Sequence, residues 1–212
     1  MTKSIKIALL GATGKAGKYL LQELLLQGYQ VKSLIRNPEN YSITHPLIEI
    51  VKGDIKDLET TRLLLKDCNC VISAIGQNKD EELISSLATS NILRVMEELN
   101  IKRYILLTGM NLEVAGDQKS PKNTEATKWM KATFPIFVAD KQKAYEMLKE
   151  SKMDWTLLRL PWIEQTTERR GVQVDLQDCP GELISTTDLA DFLIDQITAT
   201  AYLRKAPFVA SK

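Results

Sequence analysis

The feature that most constrains this chain is Gly11-Ala-Thr-Gly14-Lys-Ala-Gly17, set between two stretches of opposite periodicity. Before it runs Ile5-Lys-Ile-Ala-Leu-Leu10, a short apolar run that reads as a buried strand. After it, Ala16, Leu20, Leu21, Leu24 and Leu25 recur at helical spacing until Gly28 supplies the stop. Each glycine has a separate task in such a strand-to-helix turn. Gly11 permits the sharp bend, Gly14 lets backbone come close to a bound group, and Gly17 lets the helix pack close to the sheet. The helix start then turns unpaired N–H groups and the positive end of its dipole towards whatever lies across the turn, which suits a phosphate.

The remaining sequence alternates the same two patterns. Strands are expected at 30–35, 47–51, 70–75, 104–108, 155–160, 182–185 and 207–210. Helices are expected at 57–66, with Asp57 as N-cap, and at 81–99, 139–150 and 188–199. Residues 111–135 are polar with scattered aromatics, too long for a plain connection, and are expected to form a lid or binding loop. Repeated strand–helix–strand units imply an α/β fold, a doubly wound, mostly parallel sheet of Rossmann type with helices on both faces. We expect one domain over 1–212, with a small substrate-side lobe built from 109–137 and 161–185. A chain of 212 residues, 44% of them hydrophobic, can bury a core without disulfide or metal staples.

Composition excludes several functions. With 28 basic against 27 acidic residues, the chain lacks the basic excess of a nucleic-acid binder. Cys68, Cys70 and Cys179 are an odd, sparse set that fits a reducing compartment. Cys68-Asn-Cys70 has no second ligand pair, and His45, the sole histidine, sits in a loop; neither a metal site nor a histidine triad is expected. No apolar stretch approaches a bilayer span and no secretory leader is legible, so a cytoplasmic location without membrane attachment is expected.

Within this frame the glycine turn reads as a dinucleotide site, and the ends of later strands refine it. The second strand ends Leu34-Ile-Arg36-Asn37, where NAD-preferring domains place an acidic residue for the ribose 2′-hydroxyl. Arg36 can instead pair bidentately with a 2′-phosphate, and Lys15 adds charge near the turn, so NADP(H) is the expected cofactor. Gly53-Asp54 offers a carboxylate to an adenine amine, and Ala74-Ile75-Gly76 lets backbone approach the cofactor. Both lie at carboxyl ends of strands, where open α/β sheets bind ligands.

These residues, with Leu107-Thr108, the stretch Lys143-Ala-Tyr-Glu146, Trp155-Thr-Leu-Leu-Arg159-Leu-Pro161 and Ile184-Ser-Thr-Thr-Asp188-Leu-Ala190, resemble the atypical short-chain dehydrogenase/reductase group. The resemblance covers nearly the whole chain and points to its NAD(P)H-binding, NmrA-like and biliverdin reductase B (flavin reductase) branch. It implies that Gly11, Thr13, Gly14, Lys15, Ala16 and Gly17 form the pyrophosphate turn. It puts Arg36 at the 2′-phosphate, Asp54 and Ile55 beside the adenine, and Ala74, Ile75 and Gly76 under the ribose. Thr108, Pro161 and Ile163 would border the nicotinamide.

The proton-donating pair of typical members, Tyr-x-x-x-Lys, is not legible where it belongs. Tyr145 and Lys149 have the spacing, but counting back from Glu146 puts the two positions at Val138 and Gln142, two helical turns earlier. After the fifth strand stands Thr108-Gly109-Met110 in place of Thr-Ser. Thr108 and Lys141 remain as candidate catalytic groups. Hydride transfer to a flavin or quinone needs orientation and exclusion of water more than a tuned acid. Met110 and Trp162, with Trp129, Phe134 and Phe137, are candidates for a flat apolar platform under such an acceptor. The expected function is an NADPH-dependent reductase of a planar acceptor. The alternative is a non-catalytic NADP(H) sensor of NmrA-like type. A sugar-nucleotide epimerase ranks last, since about fifty residues follow Pro161.

Overall fold

The computed structural model describes residues 4–41, 43–76 and 83–212. Its core is one eight-stranded sheet in the order β3-β2-β1-β4-β5-β6-β10-β8. The strands are β1 (Lys6–Leu10), β2 (Gln30–Ile35), β3 (Ile48–Lys52), β4 (Cys70–Ser73), β5 (Arg103–Gly109), β6 (Asp154–Leu160), β8 (Val172–Asp175) and β10 (Phe208–Ser211). All pair in parallel except β8, which runs antiparallel to β10. The expected doubly wound α/β sheet is therefore present. A two-stranded ribbon of β7 (Trp162–Glu164) and β9 (Leu183–Ser185) stands beside it.

Helices α1 (Gly17–Leu26) and α6 (Thr186–Asp195) cover one face; α2 (Leu58–Leu65), α3 (Ser85–Glu98) and α5 (Pro135–Glu150) cover the other. Strand β1 shows why the first apolar run does not alternate in polarity. Ile7 and Leu9 pack into the core beneath α1 and α6, Ala8 and Leu10 into the opposite one, and all four are fully buried. Such a strand is apolar on both faces because helices cover both. Asp57 caps α2 as expected, accepting from the Thr60 N–H at 2.8 Å. Of the helix expected at 81–99, α3 supplies the described part, and residues 81 and 82 lie outside the described residues.

Residues 111–135 correct the expectation of a loop, because most of them form α4 (Pro121–Thr133). Ser120 is its N-cap and Pro121 its first residue, an entry that also reads as a turn. Thr127 is the one fully buried residue of α4, so the helix carries no apolar stripe to betray it. Pro135 likewise opens α5, which begins four residues before the expected 139. Strands β7 and β8 were not expected; both are short, and half of β8 faces solvent.

Segments 109–137 and 161–185 meet each other above the sheet. Asp178 accepts from the Ser120 N–H at 3.0 Å and from Asn123 Nδ2 at 2.6 Å, and the Gln118 N–H donates to the Gln177 carbonyl at 3.0 Å. Arg159 of β6 reaches up into both, donating to Asp117 and to the Leu176 carbonyl.

Candidate functional site

Order 3-2-1-4-5-6 reverses between β1 and β4, and a crevice opens there at the carboxyl ends of the strands. A cleft of about 1030 Å³ occupies it, at the upper end of the roughly 300–1,000 Å³ usual for ligand pockets. The glycine turn forms its floor. Gly11 has φ +80°, and a Cβ there would stand 2.5 Å from the Ala74 carbonyl oxygen, so the turn requires glycine both for its backbone and for the strand beside it. Gly17 faces the other way: a Cβ would overlap the Gly11 carbonyl. Its place is behind the turn and it does not line the cleft. Thr13, Gly14, Lys15 and Ala16 do. Among the described residues, the N–H groups of Thr13, Lys15 and Ala16 donate to no protein acceptor.

One end of the cleft is polar. Arg36, exposed after β2, lines it with Asp54, Ile55 and Lys56 after β3. Asp54 Oδ1 accepts from the Lys56 N–H at 3.0 Å, and Asn91 of α3 donates to the Ile55 carbonyl at 2.8 Å, so this turn is held from two sides. Ala74, Ile75 and Gly76 continue the lining; at Gly76 a Cβ would meet nothing within 4 Å. The other end is more apolar, walled by Ile84, Leu107, Leu160, Pro161 and Ile163, with Thr108 and Lys141 among them. The Thr108 hydroxyl is buried and has no partner among the described residues. A buried hydroxyl left unpaired costs stability, so it marks a place where a bound group completes the site.

Lys141 stands on α5 with its ammonium 4.3 Å from the Phe137 ring centroid. Burial pushes its amine down to about 8, against the opposing pull of Asp140. Asp140 itself turns away, its carboxylate accepting from the Ser85 and Ser86 N–H groups at 2.8 and 3.2 Å and so capping α3. Behind Lys141 lies a second, small cavity of about 40 Å³. Ser73, Thr89, Tyr104, Thr108 and Tyr145 line it together with Lys141. The Tyr104 hydroxyl hydrogen-bonds Thr89 and Ser73, and burial raises its pKa.

Most of the expected site residues thus come together in one cleft. Six do not line it: Gly17, Met110, Trp129, Phe134, Phe137 and Trp162. Met110 is held by its backbone, its N–H donating to Leu160 and its carbonyl accepting from Lys119 at 3.0 Å. Trp162 is 72% exposed at the lip, where the Lys15 ammonium lies 5.5 Å from its ring centroid. Trp129 and Phe134 pack edge to face with each other at 6.0 Å. Tyr145 packs on Trp155 and lines the small cavity, while Lys149 pairs with Glu146 at 2.7 Å in solvent. Val138 is buried, and Gln142 exchanges hydrogen bonds with the Glu113 backbone. Sequence reasoning missed Lys56, although a cation two residues after Asp54 was a readable signal. It also missed the cavity residues Ser73 and Thr89, whose position depends on packing alone.

The chain belongs to the NAD(P)H-binding family, whose model matches residues 11–200. It is 21% identical over 154 residues to the uncharacterized protein YwnB of Bacillus subtilis, covering 73% of this chain and 70% of that one. Other curated relatives are longer, and the matched stretch spans 19–59% of their length. Among solved structures, a short-chain dehydrogenase/reductase of Veillonella parvula in complex with NADP superposes with TM-score 0.82 at 19% identity, covering 98% of this chain and 94% of that one. ChuY of Escherichia coli O157:H7, an anaerobillin reductase, superposes with TM-score 0.77 at 20% identity, covering 97% of each chain. These likenesses define the fold as that of short-chain dehydrogenase/reductase proteins.

The residues present fit the family's cofactor. Unpaired amides at a helix start suit a pyrophosphate, Arg36 and Lys56 bring positive charge to one end, and the orphaned Thr108 hydroxyl waits at the other.

Proposed function

We propose that this protein is an NADPH-dependent reductase of a planar acceptor such as a flavin or quinone. The observation that carries the reading is the continuity of the cleft, from Arg36 and Asp54 through the glycine turn to Thr108, Pro161 and Ile163. It has a charged end for a phosphorylated ribose and an apolar end for a nicotinamide with a flat partner beside it.

The chain's own residues bind and orient. Amides of Thr13, Lys15 and Ala16, backed by the dipole of α1, receive the pyrophosphate. Arg36 pairs with the 2′-phosphate and Asp54 accepts from the adenine. Ala74, Ile75 and Gly76 present backbone to the ribose, and the Thr108 hydroxyl gains a partner at the nicotinamide end. Pro161 and Ile163 exclude water from the reacting face. When bound, the cofactor supplies a hydride. The lobe formed by 109–137 and 161–185 takes the acceptor side, with Trp162 at its lip.

Titrating NADPH by its fluorescence, then following its oxidation at 340 nm with FMN and with a benzoquinone, tests the reading. Binding followed by acceptor-dependent oxidation is expected. Tight binding with no oxidation by any acceptor would instead favour a redox sensor.

A further inference from the structure

Where β9 passes into α6, four consecutive polar side chains are buried: Ser185, Thr186, Thr187 and Asp188. Burying such a run is costly unless each group is hydrogen-bonded, and all four direct their bonds to one segment, residues 166–171. Thr186 Oγ1 accepts from the Thr166 N–H at 3.2 Å and donates to the Thr166 carbonyl at 2.8 Å. The Ser185 and Thr187 hydroxyls both donate to the Glu168 carbonyl, at 2.8 and 2.6 Å. Asp188 Oδ1 accepts from the N–H groups of Arg170 and Gly171, each at 3.0 Å. Its Oδ2 accepts from the Ser211 hydroxyl of β10 at 2.6 Å. Among the described residues no basic side chain pairs with this carboxylate. Its charge is met by amides, a hydroxyl and the dipole of α6, and such charge-assisted bonds hold backbone more firmly than neutral ones.

The segment held in this way begins where a wall of the cleft ends. Strand β7 pairs with β9, Ile163 opposite Ile184 and Glu164 opposite Ser185, and Pro161 and Ile163 line the apolar end of the cleft. From the same segment Arg169 reaches Glu23 of α1 at 2.7 Å and Asp191 of α6 at 2.8 Å. Helix α1 is the one whose start carries the glycine turn. Residues 165–171 therefore run as a strap from the apolar wall to the phosphate-facing helix. Gly171 closes the strap with φ +76°, a left-handed backbone next to the two amides that share Asp188 Oδ1. None of residues 185–188 lines the cleft, so their influence on a ligand passes through the wall.

We propose that Asp188, with Ser185 and Thr187, is a positioning residue for the nicotinamide half of the cofactor. These side chains lock the strap, and the strap sets how far the Pro161–Ile163 wall stands from the glycine turn. The proposal rests on the cofactor placement given above. It assigns a task to a run of residues that touches neither cofactor nor acceptor.

Two ligands separate the halves of the site. NADPH spans the whole cleft, whereas 2′,5′-ADP carries the adenine, its ribose and the 2′-phosphate but no nicotinamide. Wild-type protein should shift NADPH emission to the blue, because the reduced ring leaves water for an apolar wall. At exposed Gly171 an added Cβ meets nothing closer than the Lys212 side chain at 3.8 Å, but an L residue resists φ +76°. Gly171→Ala should therefore turn the amides away from Asp188 while leaving every cleft side chain in place. We expect its NADPH Kd to rise about tenfold and its 2′,5′-ADP Kd to stay within about twofold. The blue shift should shrink with it. Gly171→Asn should recover most of the loss, since asparagine tolerates the left-handed region. Asp188→Asn, which keeps an acceptor and gives up the charge, should show the same split between the ligands. Circular dichroism establishes that each variant is folded at the titration temperature.

Equal losses for both ligands, or no loss for either, would overturn the positioning role and leave the run a packing element. A Gly171→Asn protein as weak as Gly171→Ala would overturn the strap, because the loss would then not follow the backbone. Wild-type protein whose bound NADPH keeps the emission maximum of free NADPH would overturn the placement of the nicotinamide at Pro161 and Ile163, and this proposal with it. A shifted wild type beside an equally shifted Gly171→Ala protein would overturn the strap alone.

Discussion

Arg159 and Asp117 form an ion pair in which one nitrogen, Nη1 of the fully buried guanidinium, lies 2.7 Å from both carboxylate oxygens. The guanidinium also donates to the Ala206 and Leu176 carbonyls and lies 3.5 Å from the Phe208 ring centroid. Removing Asp117 leaves that charge without its counter-ion. We expect Asp117→Leu to cost about 3–5 kcal/mol and to lower Tm by roughly 10 °C. The double variant Asp117→Leu/Arg159→Met should recover most of the loss; strict additivity in thermal unfolding would show that the two do not act as a pair.

Two glycines separate folding from binding. Gly17→Ala drives a methyl into the Gly11 carbonyl, so both stability and NADPH affinity should fall. Gly76→Ala meets no neighbour within 4 Å, so its stability should match wild type while NADPH binding weakens through contact with the ligand alone. Calorimetric unfolding beside a fluorescence titration reads both. Equal NADPH affinity in Gly76→Ala and wild type would remove Gly76 from the cofactor wall.

Arg36 should decide between the two nicotinamide cofactors. A charge-assisted hydrogen bond contributes about 1.5–3 kcal/mol, so Arg36→Glu should weaken NADPH by roughly ten- to a hundredfold and leave NADH within a few-fold. Paired isothermal titrations check this. An NADPH Kd that does not move would take Arg36 out of the 2′-phosphate site.

The thiols give a pH signature. Burial pushes Cys68 up to about 11 and Cys70 up to about 12 from an ordinary 9. Above pH 9 the unfolded chain ionises these thiols while the folded chain holds their protons, so fewer protons are bound in the unfolded state. Their contribution is therefore full below about pH 9 and is lost as pH rises towards 11–12. Urea midpoints should fall over that window, and a Cys68→Ala/Cys70→Ala variant should show a flatter decline. At pH 8 Ellman's reagent should leave both thiols unmodified until urea is added; rapid labelling of the folded protein would contradict their burial.

Much of the sheet was legible because strands buried on both faces have no disguise: Ile7 through Leu10 can be little else. The cleft was legible because a strand-to-helix turn fixes where a strand's carboxyl end points, so Arg36, Asp54 and Gly76 could be brought to one crevice from strand order alone. Helix α4 was hidden because its faces are nearly equally polar, and a Ser-Pro entry serves turns and helices alike. Met110 and Trp162 were misplaced for a related reason. Their residue types suit a platform, but which way they face depends on Lys119 holding the Met110 carbonyl and on β7 turning Trp162 to the lip. The small cavity was beyond reach of any local pattern, since its wall comes from α3, α5 and three strands.

The two stretches joined through Asp178 are separated in sequence by α5 and β6 yet behave as one stitched piece. Neither stretch is an independent module. Transplanting 109–137 from a relative without its own 161–185 would sever Asp178 from Ser120 and Asn123 and leave Arg159 with half its acceptors. Changes in one stretch are therefore expected to need matched changes in the other, and a chimera that exchanges them together should fold where single exchanges do not.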